Sequence, residues 1–129
     1  MSALSEAKAL VDQAWQDPGV WRDRLADARS LLDAAVADTP DDPALLTAYG
    51  TVLCDLNEYR AAAPVLEKAI RLGSRDSNTY FALAVVASNV PVPSKNPGTY
   101  RRPLTLFKRA SSLARSPLTW PAYFDDLAQ

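Results

Sequence analysis

The sequence predicts an all-α chain of antiparallel helix pairs stacked into an α-solenoid. Three observations predict it. First, one spacing occurs three times: Leu25, Leu32 and Ala35 repeat the 7- and 10-residue intervals of Tyr59, Leu66 and Ala69, and of Tyr100, Phe107 and Ala110. The sets are offset by 34 and then 41 residues. Large residues two turns apart, with a small one a turn beyond, let a neighbouring helix approach closely, and a period near 34 marks a helical repeat. Second, apolar residues recur at helical spacing through most of the chain, which has only four Gly. Third, many of the ten Pro stand at the junctions between these periodic segments.

The elements follow in order. Residues 2–16 read as a first helix, with Leu4, Ala7, Leu10, Val11, Ala14 and Trp15 at i, i+3, i+4 spacing. Asp17-Pro18-Gly19 is a turn signal. Residues 21–38 form a second helix through Leu25, Ala28, Leu31, Leu32, Ala35 and Val36, and Pro40 and Pro43 forbid its continuation. Residues 44–56 are a third helix, with Asp42 as N-cap and Pro43 at the first helical position. After a turn at Asn57-Glu58 comes a fourth helix, 59–72, ended by Gly73. Pro64 falls inside it and predicts a kink or a later start. Residues 77–88 are a fifth helix, apolar on more than one side through Tyr80, Phe81, Leu83, Val85 and Val86. Residues 89–99 hold three Pro and read as a loop inserted between paired helices. Such a loop is either a lid or partner-reaching segment, or a tolerated insertion. A sixth helix spans 100–114, with Pro103 in its first turn. The apolar segment 118–129 (Trp120, Tyr123, Phe124, Leu127) is expected to cap the open end of the stack.

Residues 43–76 resemble one tetratricopeptide repeat. Leu46, the large-small pair Tyr49-Gly50, Leu53, Tyr59, Ala62, Leu66 and Ala69 stand where that family has its bulky and small residues. Residues 77–117 are similar through Tyr80, Leu83, Ala84, Ala87, Tyr100, Phe107 and Ala110, with about seven surplus residues in the turn. A divergent first unit, about 1–42, keeps Ala28, Leu32, Ala35 and Pro40 but has Leu25 for the usual aromatic. The resemblance covers most of the chain. It implies one domain over 1–129, wound as a right-handed superhelix with a concave groove lined by the first helix of each pair.

Through that resemblance, the expected role is a non-catalytic protein-binding scaffold, an adaptor or co-chaperone holding a partner's peptide or helix. Its groove residues would be Thr47, Thr51, Asn78, Phe81, Val85 and Asn89, with Cys54 or Asp55 beside them and Gln13 from the first unit. Phe81 is then the apolar anchor among small polar groups; alternatively, Phe81 and Val85 are core. No Lys or Arg stands on that predicted face, so the family's grip on a chaperone's C-terminal carboxylate is not expected here.

Charge is unevenly placed. Residues 1–73 carry a net of −5 and residues 74–129 a net of +4. Lys95, Arg101, Arg102, Lys108, Arg109 and Arg115 follow one another with no acid between them. This run is either a solvated face or a basic edge that steers an acidic protein, such as the acidic half of a second copy. A basic edge at Arg101, Arg102, Lys108 and Arg109 suits the alternative role of a regulatory or neutralising partner of one enzyme or toxin. Nucleic acid is not expected, because Tyr100 and Phe107 belong to the repeat spacing and the isoelectric point is near 5.3.

Chemistry finds little to work with. The chain has no His and one Cys, which removes the usual zinc sites and a Cys–His nucleophile. Four scattered Gly make no phosphate loop. Asp41-Asp42 and Asp125-Asp126 lie at helix ends, where acids satisfy free N–H groups. No enzyme activity, metal or cofactor is expected. A small-ligand sensor with a pocket under the 89–99 loop is a further alternative. The lack of a secretory or membrane-spanning segment and the unpaired cysteine predict a cytoplasmic protein.

Overall fold

A computed structural model describes residues 2–90 and 103–113. Six helices follow one another: α1 (Ala3–Gln16), α2 (Trp21–Asp38), α3 (Pro43–Asp55), α4 (Tyr59–Arg71), α5 (Ser77–Asn89) and α6 (Pro103–Leu113). The fold is all-α, and its packing is sequential and pairwise. The most extensive contacts are α1 with α2, α3 with α4 and α5 with α6; α2–α3 and α4–α5 join successive pairs. The first helices also meet one another, α1 with α3 and α3 with α5. This is the arrangement of a helical-repeat architecture.

Local chemistry sets the helix ends. Ser2 Oγ accepts the Ser5 N–H, Asp42 Oδ1 that of Ala44, and Asp76 Oδ1 that of Asn78, each supplying an N-terminal amide with the acceptor it lacks. Asp17 Oδ1 takes the Gly19 N–H in the Asp-Pro-Gly turn. The helices α3 and α4 end alike. Glu58 N–H donates to Leu53 O and Asn57 N–H to Cys54 O, while Ser74 N–H donates to Ala69 O and Gly73 N–H to Ile70 O. Each is a Schellman motif whose pivot needs positive φ, 62° at Asn57 and 91° at Gly73.

Pro64 corrects one expectation. The helix α4 begins at Tyr59 and continues past Pro64, so of the two expected outcomes the later start does not occur. Pro64 and Arg60 are both exposed, so water can serve the Arg60 carbonyl that loses its donor, while buried Ala62 holds the first turn against the core.

The triple spacing maps onto packing. Leu25, Leu32, Leu66, Ala69 and Ala110 are fully buried, Ala35, Tyr59 and Phe107 are half-buried, and Tyr100 lies outside the described residues. One core cluster joins α1, α2 and α3 through Ala7, Ala28, Leu32, Leu45 and Val52. A second joins α3 to α6 through Leu53, Ala62, Leu66, Leu83, Val86 and Leu106. Tyr49 packs against both. The central helix α5 is buried almost all round, from Ser77 and Thr79 to the unbroken run 81–86. At the α3–α4 crossing there is no room for a side chain at position 50: a Cβ on Gly50 would lie 2.5 Å from Leu66 Cδ2 and 2.6 Å from its Cγ.

Polar ties also bridge the first two pairs. Tyr49 Oη donates to Asp33 Oδ1 (2.9 Å), Arg29 pairs with Glu58 (3.0 Å) and Lys68 with Asp41 (3.2 Å). These pairs are substantially exposed, so each adds roughly 0–1 kcal/mol and helps fix orientation. Most of the 89–99 insertion, the start of the sixth helix at 100–102 and the 118–129 cap lie outside the described residues.

Candidate functional site

The expected groove residues separate into two groups. Thr47, Phe81 and Val85 are buried, at 5%, 2% and 9% exposure. Thr51 and Asn78 are half-buried, and Asn89 and Gln13 are exposed. Phe81 meets Phe107 of α6 edge-on, with centroids 5.2 Å apart and rings at 68°. It belongs with Val85 and Ala110 in a third apolar cluster. The expectation of an exposed aromatic anchor is therefore corrected: α5 is apolar around its circumference, and this ring lies inside the α5–α6 interface.

The polar groups of this region are largely engaged. Thr51 Oγ1 donates to Thr47 O and Asn89 Nδ2 to Val85 O, each within its own helix at 2.7 Å. The hydroxyls of Thr47 and Thr79 lie 2.7 Å apart, joining α3 to α5, and Thr79 continues to Ser74 at 2.8 Å. A hydrogen-bonded chain of three hydroxyls thus runs beneath the ends of the first helices. Sequence reasoning missed it; the available signal was hydroxyl residues set within apolar helices. Nearby, Cys54 Sγ donates to Ala82 O of α5 (3.7 Å).

At the N-terminal ends of α3 and α5 is an open cavity of about 540 Å³, with Pro43, Ala44, Arg75, Asp76, Ser77 and Leu113 among its lining residues. Ser77 is only 5% exposed, and its hydroxyl has no hydrogen-bond partner among the described residues. Arg75 is exposed and has no ion-pair partner there. The pocket expected under the 89–99 loop falls on residues 91–99, which lie outside the described ones.

The basic edge is described in part. Lys108 and Arg109 are exposed on α6, and the Arg109 guanidinium sits 5.7 Å from the centre of the Tyr80 ring. Arg101 and Arg102 lie outside the described residues.

Cys54 is set for packing. Burial first, then the charge of Asp55, pushes its thiol up to about 12. Burial also raises the Tyr49 hydroxyl, helped by Asp33, and the Tyr59 hydroxyl, helped by Cys54 and Asp55. An unfolded cysteine ionises near ~8.5, so the folded thiol keeps its proton where the unfolded one releases it. Its contribution to stability is complete below that point and is lost as pH rises toward 12. The urea midpoint is expected to fall from about pH 8.5 upward, less steeply in Cys54→Ala. A thiol reagent at pH 8 should label Cys54 only as fast as the protein opens; rapid labelling of the native chain would contradict this burial.

Among the described residues, no three His, Cys, Asp or Glu gather as a metal site, and no helix is long and apolar enough to cross a membrane. Comparison with protein-family models, curated proteins and solved structures returned no match.

Proposed function

We propose that this chain is a non-catalytic protein-binding module of the tetratricopeptide type, an adaptor or co-chaperone that holds a partner's peptide or helix along its first helices. The observation that carries the reading is the succession of contacts α1–α3–α5. In this reading helices that meet one another in this way line a common face, and the retained exposure of Thr51, Asn78 and Asn89, its expected residues, supports it. The Gly50–Leu66 approach supports the repeat type, since it puts a glycine where the family keeps a small residue. In the same reading the pairs wind as a right-handed superhelix, 118–129 caps it, and the protein works in the cytoplasm.

A second reading is favoured by Arg109. Its charge is held over Tyr80 beside exposed Lys108, a fixed cationic edge suited to an acidic protein surface on one regulated enzyme or toxin. Two variants separate these readings in affinity capture from the source cell. The pair Thr51→Arg with Asn78→Arg is expected to lose the captured partner, while Lys108→Glu with Arg109→Glu retains it. Loss only in the α6 variant would transfer function to the basic edge. Circular dichroism of each variant checks that the helices persist.

A further inference from the structure

We propose that the cavity between the N-terminal ends of α3 and α5 binds a small zwitterion with an apolar side chain, an α-amino acid or a dipeptide. Its volume, about 540 Å³, lies within the range of ~300–1,000 Å³ usual for small-ligand sites. Its lining offers three kinds of contact. Arg75 supplies a cation without an ion-pair partner among the described residues. Asp76 supplies the opposite charge: Oδ1 accepts the Asn78 N–H at 2.9 Å, leaving the second oxygen to receive a donor. Pro43, Ala44 and Leu113 supply apolar wall.

Ser77 points to a ligand independently of those charges. It is 95% buried by its 5% exposure, lines the cavity, and carries a hydroxyl with no partner among the described residues. That hydroxyl faces the open cavity and is free to donate to an acceptor held there. A carboxylate placed between Ser77 and Arg75 also meets the favourable end of the α5 dipole. An ammonium on the same ligand then answers Asp76. A simple carboxylate would leave Asp76 unanswered, and a simple amine would leave Arg75 unanswered, so the charge pattern selects the ligand that carries both. This site lies on the same first helices as the proposed peptide-binding face and shares Thr47 with it, but its charged contacts, Arg75 and Asp76, are not among that face's residues.

The test is calorimetric titration of the full chain with leucine, phenylalanine and leucylphenylalanine, each also as its N-acetyl and its C-amide form. Saturable binding is expected, weakened about tenfold when either end is blocked. Arg75→Gln should weaken the free ligand about tenfold and bind acid and amide alike, the mark of a lost carboxylate contact. Asp76→Asn keeps a capping side chain and should bind amine and N-acetyl forms alike. Ser77→Ala should weaken binding several-fold. Tighter binding of the single amino acids or of the dipeptide supports the site and names its source. Absence of saturation for all three, equal binding of blocked and free forms, or indifference to both charge variants would overturn it.

Discussion

Phe81→Ala is expected to destabilise the chain by about 3–5 kcal/mol, because it removes a buried ring and leaves a hole that its neighbours only partly close. For a domain whose whole stability is about 5–15 kcal/mol, that is a large fraction. The ring is 2% exposed and its edge-on partner is Phe107, so the loss falls on the α5–α6 interface. In a sequential stack each pair touches mainly its neighbours, and damage at one interface is felt first by the pair that depends on it. Hydrogen exchange should therefore show α6 and the C-terminal turns of α5 losing protection, while α1, α2 and α3 stay protected. Uniform loss across all six helices would mean that the described pairs unfold as one cooperative unit. The variant also bears on function. Lys108 and Arg109 ride on α6, so a basic-edge partner should be lost together with that helix, although neither cation has been changed.

The contrast between α3 and α5 explains how much of this was legible in the sequence. The bounds of α3 were readable because Asp42, Pro43 and the Asn57 turn act within a few residues of their own positions. Gly73 was readable for the same reason. Of the two outcomes expected at Pro64, the later start fails because the local rule carried no knowledge that the first turn of α4 is held by Ala62 against the core. On α5 the apolar period breaks down: with 81–86 all buried, no stripe distinguishes the side that faces α3 from the side that faces α6. Phe81 was placed by family likeness, and only the packing assigns it to the α6 side. The hydroxyl chain Thr47–Thr79–Ser74 was beyond reach because it depends on which helix lies against which. The cavity depends in addition on where the end of α6 arrives, since Leu113 closes one wall.

Leu66→Ala is expected to cost about 2–5 kcal/mol, and it has an unusual partner in Gly50. Leu66 is fully buried at the α3–α4 crossing, where its Cγ and Cδ2 occupy the space a Cβ at position 50 would need. Gly50→Ala alone sets two effects against each other. Helix propensity gains about 1 kcal/mol when Gly becomes Ala in a helix interior. Overpacking costs about 1–3 kcal/mol, and here it acts on the branch point of a buried leucine, which cannot swing aside as a chain end can. The single variant should therefore be destabilised by about 0–2 kcal/mol in urea titration, toward the upper end because the leucine branch point cannot move aside. In the double variant the clash is gone, the new methyl fills part of the hole, and the propensity gain remains. Gly50→Ala should then become stabilising in the Leu66→Ala background, with a coupling of roughly 1–3 kcal/mol between the two sites. If the effects simply added, the close approach of α3 to α4 would not be what keeps position 50 free of a side chain. If the sign reverses, the smallness of residue 50 and the size of residue 66 are one device: the glycine brings the helices together and the leucine fills what that approach leaves.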